Sequence, residues 1–179
     1  MEITMSDLLE FYTNAKPNPD GLYLKDIWNF SDWELENRHH YIQWLFPIEL
    51  KSNHNDTCLQ VSPSEINEAL KSRDFQENLF HSLLLMENFW GFKVKHKFHQ
   101  EKPAGVIKDY NAKNWVTLYN HNYIRITRVL HSLKVFGLEE EANELFNYLE
   151  SEVYSHNSHS IGSQTLEYWK SAIEIKKAA

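Results

Sequence analysis

The sequence predicts an all-α protein: a single compact multi-helix domain, residues 1–179, with roughly six to eight helices and short loops. Three observations predict it. Helix-start and helix-stop patterns recur along the chain, and apolar residues return at three- and four-residue intervals. Only five Gly and five Pro occur in 179 residues, too few for a turn-rich all-β design. That length suits one domain and buries a core without disulfide or metal staples.

The elements follow in order. Ser6 caps a short amphipathic helix that turns Leu8, Leu9, Phe11 and Tyr12 inward, stopped by Pro17 and Pro19. Asn18-Pro19-Asp20-Gly21 is a turn cluster. Ser31 caps a helix expected to run to Phe46 and end at Pro47, with Asp32, Glu34 and Glu36 favouring its N-terminal dipole. Lys51 to Gln60 is polar and reads as loop. Ser62-Pro63-Ser64-Glu65 joins a capping box to a proline at the first helical position, opening a helix to about Arg73. Asp74 with Glu77 opens the next, an apolar helix carrying Phe75, Leu79, Phe80, Leu83, Leu84, Met86 and Phe89 toward a core, with Gly91 at its end.

Lys93 to Lys108 reads as loop, because the alternation from Lys93 to His99 would make a strand without a partner. A short helix is expected at Ala112–Leu118 and a firm one from Asn120 to Phe136, ended by Gly137. Glu139 to Tyr154 is helical with Ala142, Leu145, Phe146 and Leu149 inward, His156 to Ser163 is a polar linker, and Thr165 to Lys176 closes the chain.

Composition narrows the function classes. A net charge of −7 argues against a general nucleic-acid binder, which carries a basic domain. Aromatic residues at 14% argue against disorder. Cys58 is the single cysteine, so no intrachain disulfide or thiolate cluster forms, and a reducing, cytoplasmic setting is expected. The acidic N-terminus lacks a secretory pattern, and no apolar stretch approaches the ~18 residues of a membrane span, so no membrane insertion is expected. No cofactor or metal is expected either. His96/His99 and His156/His159 are pairs three apart in loop-like segments without metal-binding context, and they read as solvated side chains.

Two helices carry candidate sites. From Asn120 to Phe136, Tyr123, Ile126, Val129, Leu130, Leu133 and Phe136 share one arc, while His121, Arg125, Arg128 and Ser132 form a stripe at i, i+4, i+7 and i+11. Ile124 and Val135 flank that stripe, which predicts partly buried guanidiniums in need of acceptors. An internal carboxylate is the commoner partner; a ligand carboxylate or phosphate, held bidentately, is the functional one. In the Ser31–Phe46 helix, Trp33, Asn37, His40 and Trp44 repeat the same spacing beside an apolar arc of Leu35, Tyr41, Ile42, Leu45 and Phe46. Such stripes are mostly packing, but an outward one offers Trp33 and Trp44 as anchors for a peptide or protein partner.

Two segments of these helices resemble a known family. His39-His40-Tyr41-Ile42-Gln43-Trp44-Leu45-Phe46-Pro47 and Asn120-His121-Asn122-Tyr123-Ile124-Arg125-Ile126-Thr127-Arg128-Val129-Leu130-His131-Ser132-Leu133 resemble the two signatures of the opioid growth factor receptor conserved domain. Gly137-Leu138 and the approach from Trp28-Asn29 to Glu36 extend the likeness over approximately 20–175. The resemblance implies a non-enzymatic, receptor-like module. Animal members are described as receptors for an enkephalin-type growth-factor peptide acting in and around the nucleus, and the family supplies no catalytic residues.

The leading expectation is therefore a binding module for a peptide or protein ligand with an anionic group. In it the two helices line one groove, with His121, Arg125 and Arg128 holding the anion and Trp33, His40 and Trp44 giving apolar contact. The alternatives are a phosphate-ligand site (nucleotide or nucleic acid) using His121, Arg125 and Arg128 with Lys93, Lys95 and Lys97, or an enzyme with His121 or His40 as general base.

Overall fold

A computed structural model describes residues 6–49, 61–97 and 115–175. Among these the regular structure is entirely helical, as the sequence predicts. The chain divides into two compact units, 1–82 and 83–179.

The first unit opens with α1 (Asp7–Tyr12), whose N-terminus is capped by the Ser6 hydroxyl accepting from the Leu9 N–H. After the proline turn come α2 (Leu24–Trp28), which the sequence reading did not anticipate, α3 (Asp32–Asn37) and α4 (Tyr41–Leu45). A short helix like α2 lacks the repeat that marks a periodic face, and its start is fixed by Asp26, whose carboxylate accepts from the Tyr23 N–H at 2.9 Å. α5 (Pro63–Lys71) begins on the capping box expected of Ser62 and Glu65. The long α6 (Arg73–Trp90) belongs to this unit up to Ser82.

The core of this unit gathers Leu8, Phe11, Tyr12, Leu24, Ile27, Leu35, Leu45, Phe46 and Phe75, each at most 1% exposed. Tyr12 stacks on Phe75 at 4.1 Å and donates its hydroxyl to the Leu45 carbonyl; burial holds that phenol's pKa well above the ordinary value, so it remains a donor.

The expected continuous helix from Ser31 to Phe46 is interrupted. Arg38 takes an extended conformation (φ −86°, ψ 146°), and helix resumes only at Tyr41. The Leu35 carbonyl, which an unbroken helix would offer to the His39 N–H, instead accepts the Tyr41 hydroxyl at 2.8 Å. The Asn37 side-chain amide turns back to the Trp33 carbonyl, and the Arg38 guanidinium sits 4.9 Å from the Phe30 ring centre. Asn and His are weak helix formers, so these local bonds win over propagation.

The second unit takes the rest of α6, ended by Gly91 at φ 76°, then α7 (Asn122–Val135), α8 (Glu139–Tyr148), a π-helical turn (Leu149–Tyr154), α9 (Ser155–Ile161) and α10 (Ser163–Ile173). α10 packs on α7 and α8, and α7 packs on α8. Trp90, Ile126, Val129, Leu130, Leu133, Phe136, Leu145 and Trp169 fill this core.

Three sequence expectations are corrected here. The stretch from His156 to Ser163 is no polar linker: α9 continues from the π-helical turn, kinked at Asn157 (φ −133°), because Val153 and Ile161 are buried on either side of the polar run. Helix is likewise absent from Trp115 to Leu118, where the Trp115 indole instead donates to the Trp90 carbonyl at 3.2 Å; Ala112 to Asn114 lie outside the described residues. Nor is His96 a solvated side chain. It is 7% exposed, and the carboxylates that hold it come from α6 and α8. The expected loop at Lys51 to Gln60, Cys58, His99, Pro103 and Gly105 all lie outside the described residues.

Candidate ligand-binding site

In the first unit the break between α3 and α4 separates the expected aromatic stripe. Trp33, on α3, is 70% exposed, while Trp44, on α4, is 8% exposed and packs edge-on against Phe11 at 5.0 Å. His40 precedes α4, exposed, with Nδ1 3.8 Å from Asp20 Oδ2. The three residues therefore do not form one face. Trp33 stands outward by itself, and Trp44 faces the end of α1.

There Trp44 helps line a cleft of about 190 Å³ with Asp7, Lys16, Pro17, Asn18 and Pro19. Its walls come from local sequence. α1 ends at Tyr12, Asn14 takes a left-handed conformation (φ 59°), and Pro17 and Pro19 keep the following turn out of helix. Asn18 is 4% exposed, and its Oδ1 accepts from the N–H groups of Asp20 at 3.1 Å and Leu22 at 2.9 Å. Its own N–H donates to the Leu22 carbonyl at 2.9 Å, so the turn is tied from both sides. Its Nδ2 has no hydrogen-bond partner among the described residues. At the rim, Lys16 Nζ lies 2.7 Å from Asp7 Oδ1 and 3.4 Å from Glu10 Oε2; hydrogen bonding to these carboxylates raises the pKa of its ammonium. Of the residues lining the cleft only Asp7 and Lys16 are charged, and they are paired with each other.

In the second unit, α7 carries the basic residues. His121 occupies the N-cap position and is exposed; the helix start is closed by Asn120, whose Oδ1 accepts from the Asn122 N–H at 2.9 Å. Arg125 is 5% exposed and donates to Asn122 Oδ1 at 3.3 Å. The same oxygen accepts the Trp90 indole N–H at 3.0 Å. Arg128, four residues from the 76%-exposed Ile124, is half-buried. Arg125 and Arg128 both interact with neighbouring groups of the protein. The stripe is thus graded, from exposed His121 through half-buried Arg128 to Arg125 and Ser132 in the interior. Lys93, Lys95 and Lys97 are exposed around buried His96.

His96 is held at both ring nitrogens, Nε2 at 2.9 Å from Glu87 Oε1 and Nδ1 at 2.9 Å from Glu144 Oε2. The Lys97 N–H adds a 3.2 Å bond to Glu144 Oε1. With carboxylates on opposite edges of the ring the three groups do not converge on one point, and no cluster of metal-ligating side chains occurs among the described residues. Burial opposes the imidazolium charge, yet hydrogen bonding and attraction from Glu87 and Glu144 outweigh it and raise the His96 pKa. Burial also raises that of Glu87.

Sequence reasoning missed two of these arrangements. Asn18 and Pro19 read only as a turn, and His96 only as a loop histidine. The adjacency of Asn18 to two prolines signalled the bend but not the cleft.

The described residues define an all-helical protein in which no helix is long and apolar enough to cross a membrane. Over residues 2–179 the sequence matches the family model described as the opioid growth factor receptor (OGFr) conserved region, and the chain belongs to that family. It is 31% identical to opioid growth factor receptor-like protein 1 of Mus musculus, over 94% of this chain and 37% of that protein. It is 29% identical to the opioid growth factor receptor of Rattus norvegicus and 28% identical to that of Homo sapiens, over 94% of this chain in both cases. The alignments cover 30% and 25% of those two proteins, so the chain spans well under half of the curated relatives it matches. No solved structure matches it.

Proposed function

We propose that this chain is a non-enzymatic binding module for a peptide or protein segment, and that the Trp44 cleft is its contact site. The observation that carries the reading is the cleft itself, in which an indole and two prolines adjoin a buried polar side chain. A few oriented polar groups set in an apolar concavity are what a ligand site requires. At about 190 Å³ it suits one side chain or one peptide unit of a longer ligand. The receptor names of the relatives agree with a binding role. The enzyme alternative draws no comparable support: His40 and His121 are exposed, and neither lines this cleft.

The test is an array of short synthetic peptides probed with the full chain and with a Lys16→Ala, Pro19→Ala double variant. Both positions are exposed, so thermal unfolding is expected to be little changed. Retention of a peptide subset by the parent, lost in the variant, supports the reading. Equal retention by both, or none by either, overturns it.

A further inference from the structure

We infer that residues 93–97 form a docking strip for an acidic, extended segment of a partner protein, which sets carboxylates at alternate residues against Lys95 and Lys97, with Lys93 at the end of the row. The strip belongs to the second unit and does not depend on the Trp44 cleft.

The alternation is visible in the burial. Lys93, Lys95 and Lys97 are exposed, Val94 between them is half-buried and His96 is buried. A two-residue period is that of extended backbone, in which every second side chain shares a face and repeats about every 7 Å. The inner side is pinned at both ends. Phe92 packs on Tyr148 of α8 at 5.5 Å and on Trp115 at 5.7 Å. His96 is bonded to Glu87 of α6 and Glu144 of α8, and Glu144 also accepts the Lys97 N–H at 3.2 Å. The backbone that carries the lysines is therefore ordered before any ligand arrives, which removes part of the entropic cost of binding. Lys95 and Lys97 form no side-chain ion pair among the described residues.

Charge and length select the partner. Three exposed cations within five residues are a local exception in a chain of net charge −7, and they attract carboxylates. The basic ground is short. Tyr148 and Glu144 stand four residues apart on one row of α8, and the next residue of that row is exposed Glu140. A nucleic-acid strand, charged at every residue and longer than the strip, would meet that carboxylate too. A few residues of an acidic peptide stay within the three lysines. A second copy of this chain, pairing through the same strip, would set lysine against lysine.

The probe is the peptide acetyl-Glu-Val-Glu-Val-Glu-amide, titrated into the 15N-labelled full chain beside its isomer acetyl-Glu-Glu-Glu-Val-Val-amide and a short oligothymidylate. The expected result is a progressive shift of the Val94, Lys95 and Lys97 amide resonances with the alternating peptide, several-fold weaker binding of the isomer, and loss of affinity as salt is raised. Lys95→Glu combined with Lys97→Glu, both at exposed positions, should weaken the alternating peptide about tenfold. No shift with that peptide, equal binding of its isomer, or unchanged binding by the double variant overturns the inference. Tighter binding of the oligothymidylate overturns it as well, and makes the strip a phosphate site. If the double variant fails to fold, the comparison of the two peptides on the parent chain still decides.

Discussion

His96 and Glu87 are joined at 2.9 Å inside the second unit, with side chains only 4% and 5% exposed. Glu144, on α8, holds the opposite ring nitrogen at the same distance. The imidazole therefore ties the 92–97 segment to α6 and α8 through two charge-assisted bonds.

The pH dependence follows from the direction of the shifts. His96 binds its proton more tightly folded than unfolded, and so does Glu87. Wherever the native state holds more protons, stability falls as pH rises. The His96 contribution is thus complete below its ordinary pKa of about 6.5 and is lost as pH climbs through the raised folded value. Thermal unfolding of the full chain across neutral to mildly alkaline pH should show a declining midpoint. His96→Gln should flatten that decline, and an equal slope in both proteins would refute it. His96→Ala strands the buried Glu87 carboxylate and takes a partner from half-buried Glu144, and should cost about 3–5 kcal/mol.

Arg125 gives a second prediction. Its guanidinium is 5% exposed and shares Asn122 Oδ1 with the Trp90 indole. Arg125→Ala should destabilise by about 2–4 kcal/mol in denaturant unfolding, because it empties a buried volume and removes a hydrogen bond to a charged donor. Arg128→Ala, at a half-buried position, should cost less. Comparable small losses in both variants would refute a structural role for the Arg125 guanidinium.

What the sequence disclosed follows the range of the forces involved. The start of α5 is written in four adjacent residues, Ser62 to Glu65, and formed as expected. The burial of Arg125 was half legible from the apolar residues flanking its stripe. His96 was illegible, because Glu144 is 48 residues away and nothing local announces it. For Asn18 the turn was readable from Asn-Pro-Asp-Gly, whereas the unpaired amide depends on which atoms become buried. The break before Tyr41 hides for a related reason: apolar periodicity continues across it while the hydrogen bonds do not.

That break supplies a third prediction. Tyr41 donates to the Leu35 carbonyl at 2.8 Å and packs edge-on against Phe30 at 5.8 Å. Tyr41→Phe keeps the ring contact and removes the hydroxyl's hydrogen bond to the Leu35 carbonyl, at a cost of about 1–2 kcal/mol. Denaturant unfolding measures it. No loss of stability would mean that the carbonyl finds another donor, and that the hydroxyl does not maintain the gap between α3 and α4.

Gly162 joins α9 to α10 at φ 80° and ψ 151°, a combination essentially confined to glycine. A Cβ built there meets nothing within 4 Å, so space is available and only the backbone objects. Gly162→Ala should therefore destabilise by about 1–3 kcal/mol without disturbing neighbouring packing. The two effects separate experimentally. Strain alone lowers the unfolding midpoint while leaving the aromatic near-ultraviolet circular dichroism of the folded state unchanged, since Trp169 of α10 remains buried and bonded to the Tyr123 carbonyl of α7 at 3.1 Å. A changed folded-state spectrum would instead mean that the turn re-forms with α10 displaced, and that this glycine sets the position of the last helix as well as permitting the bend.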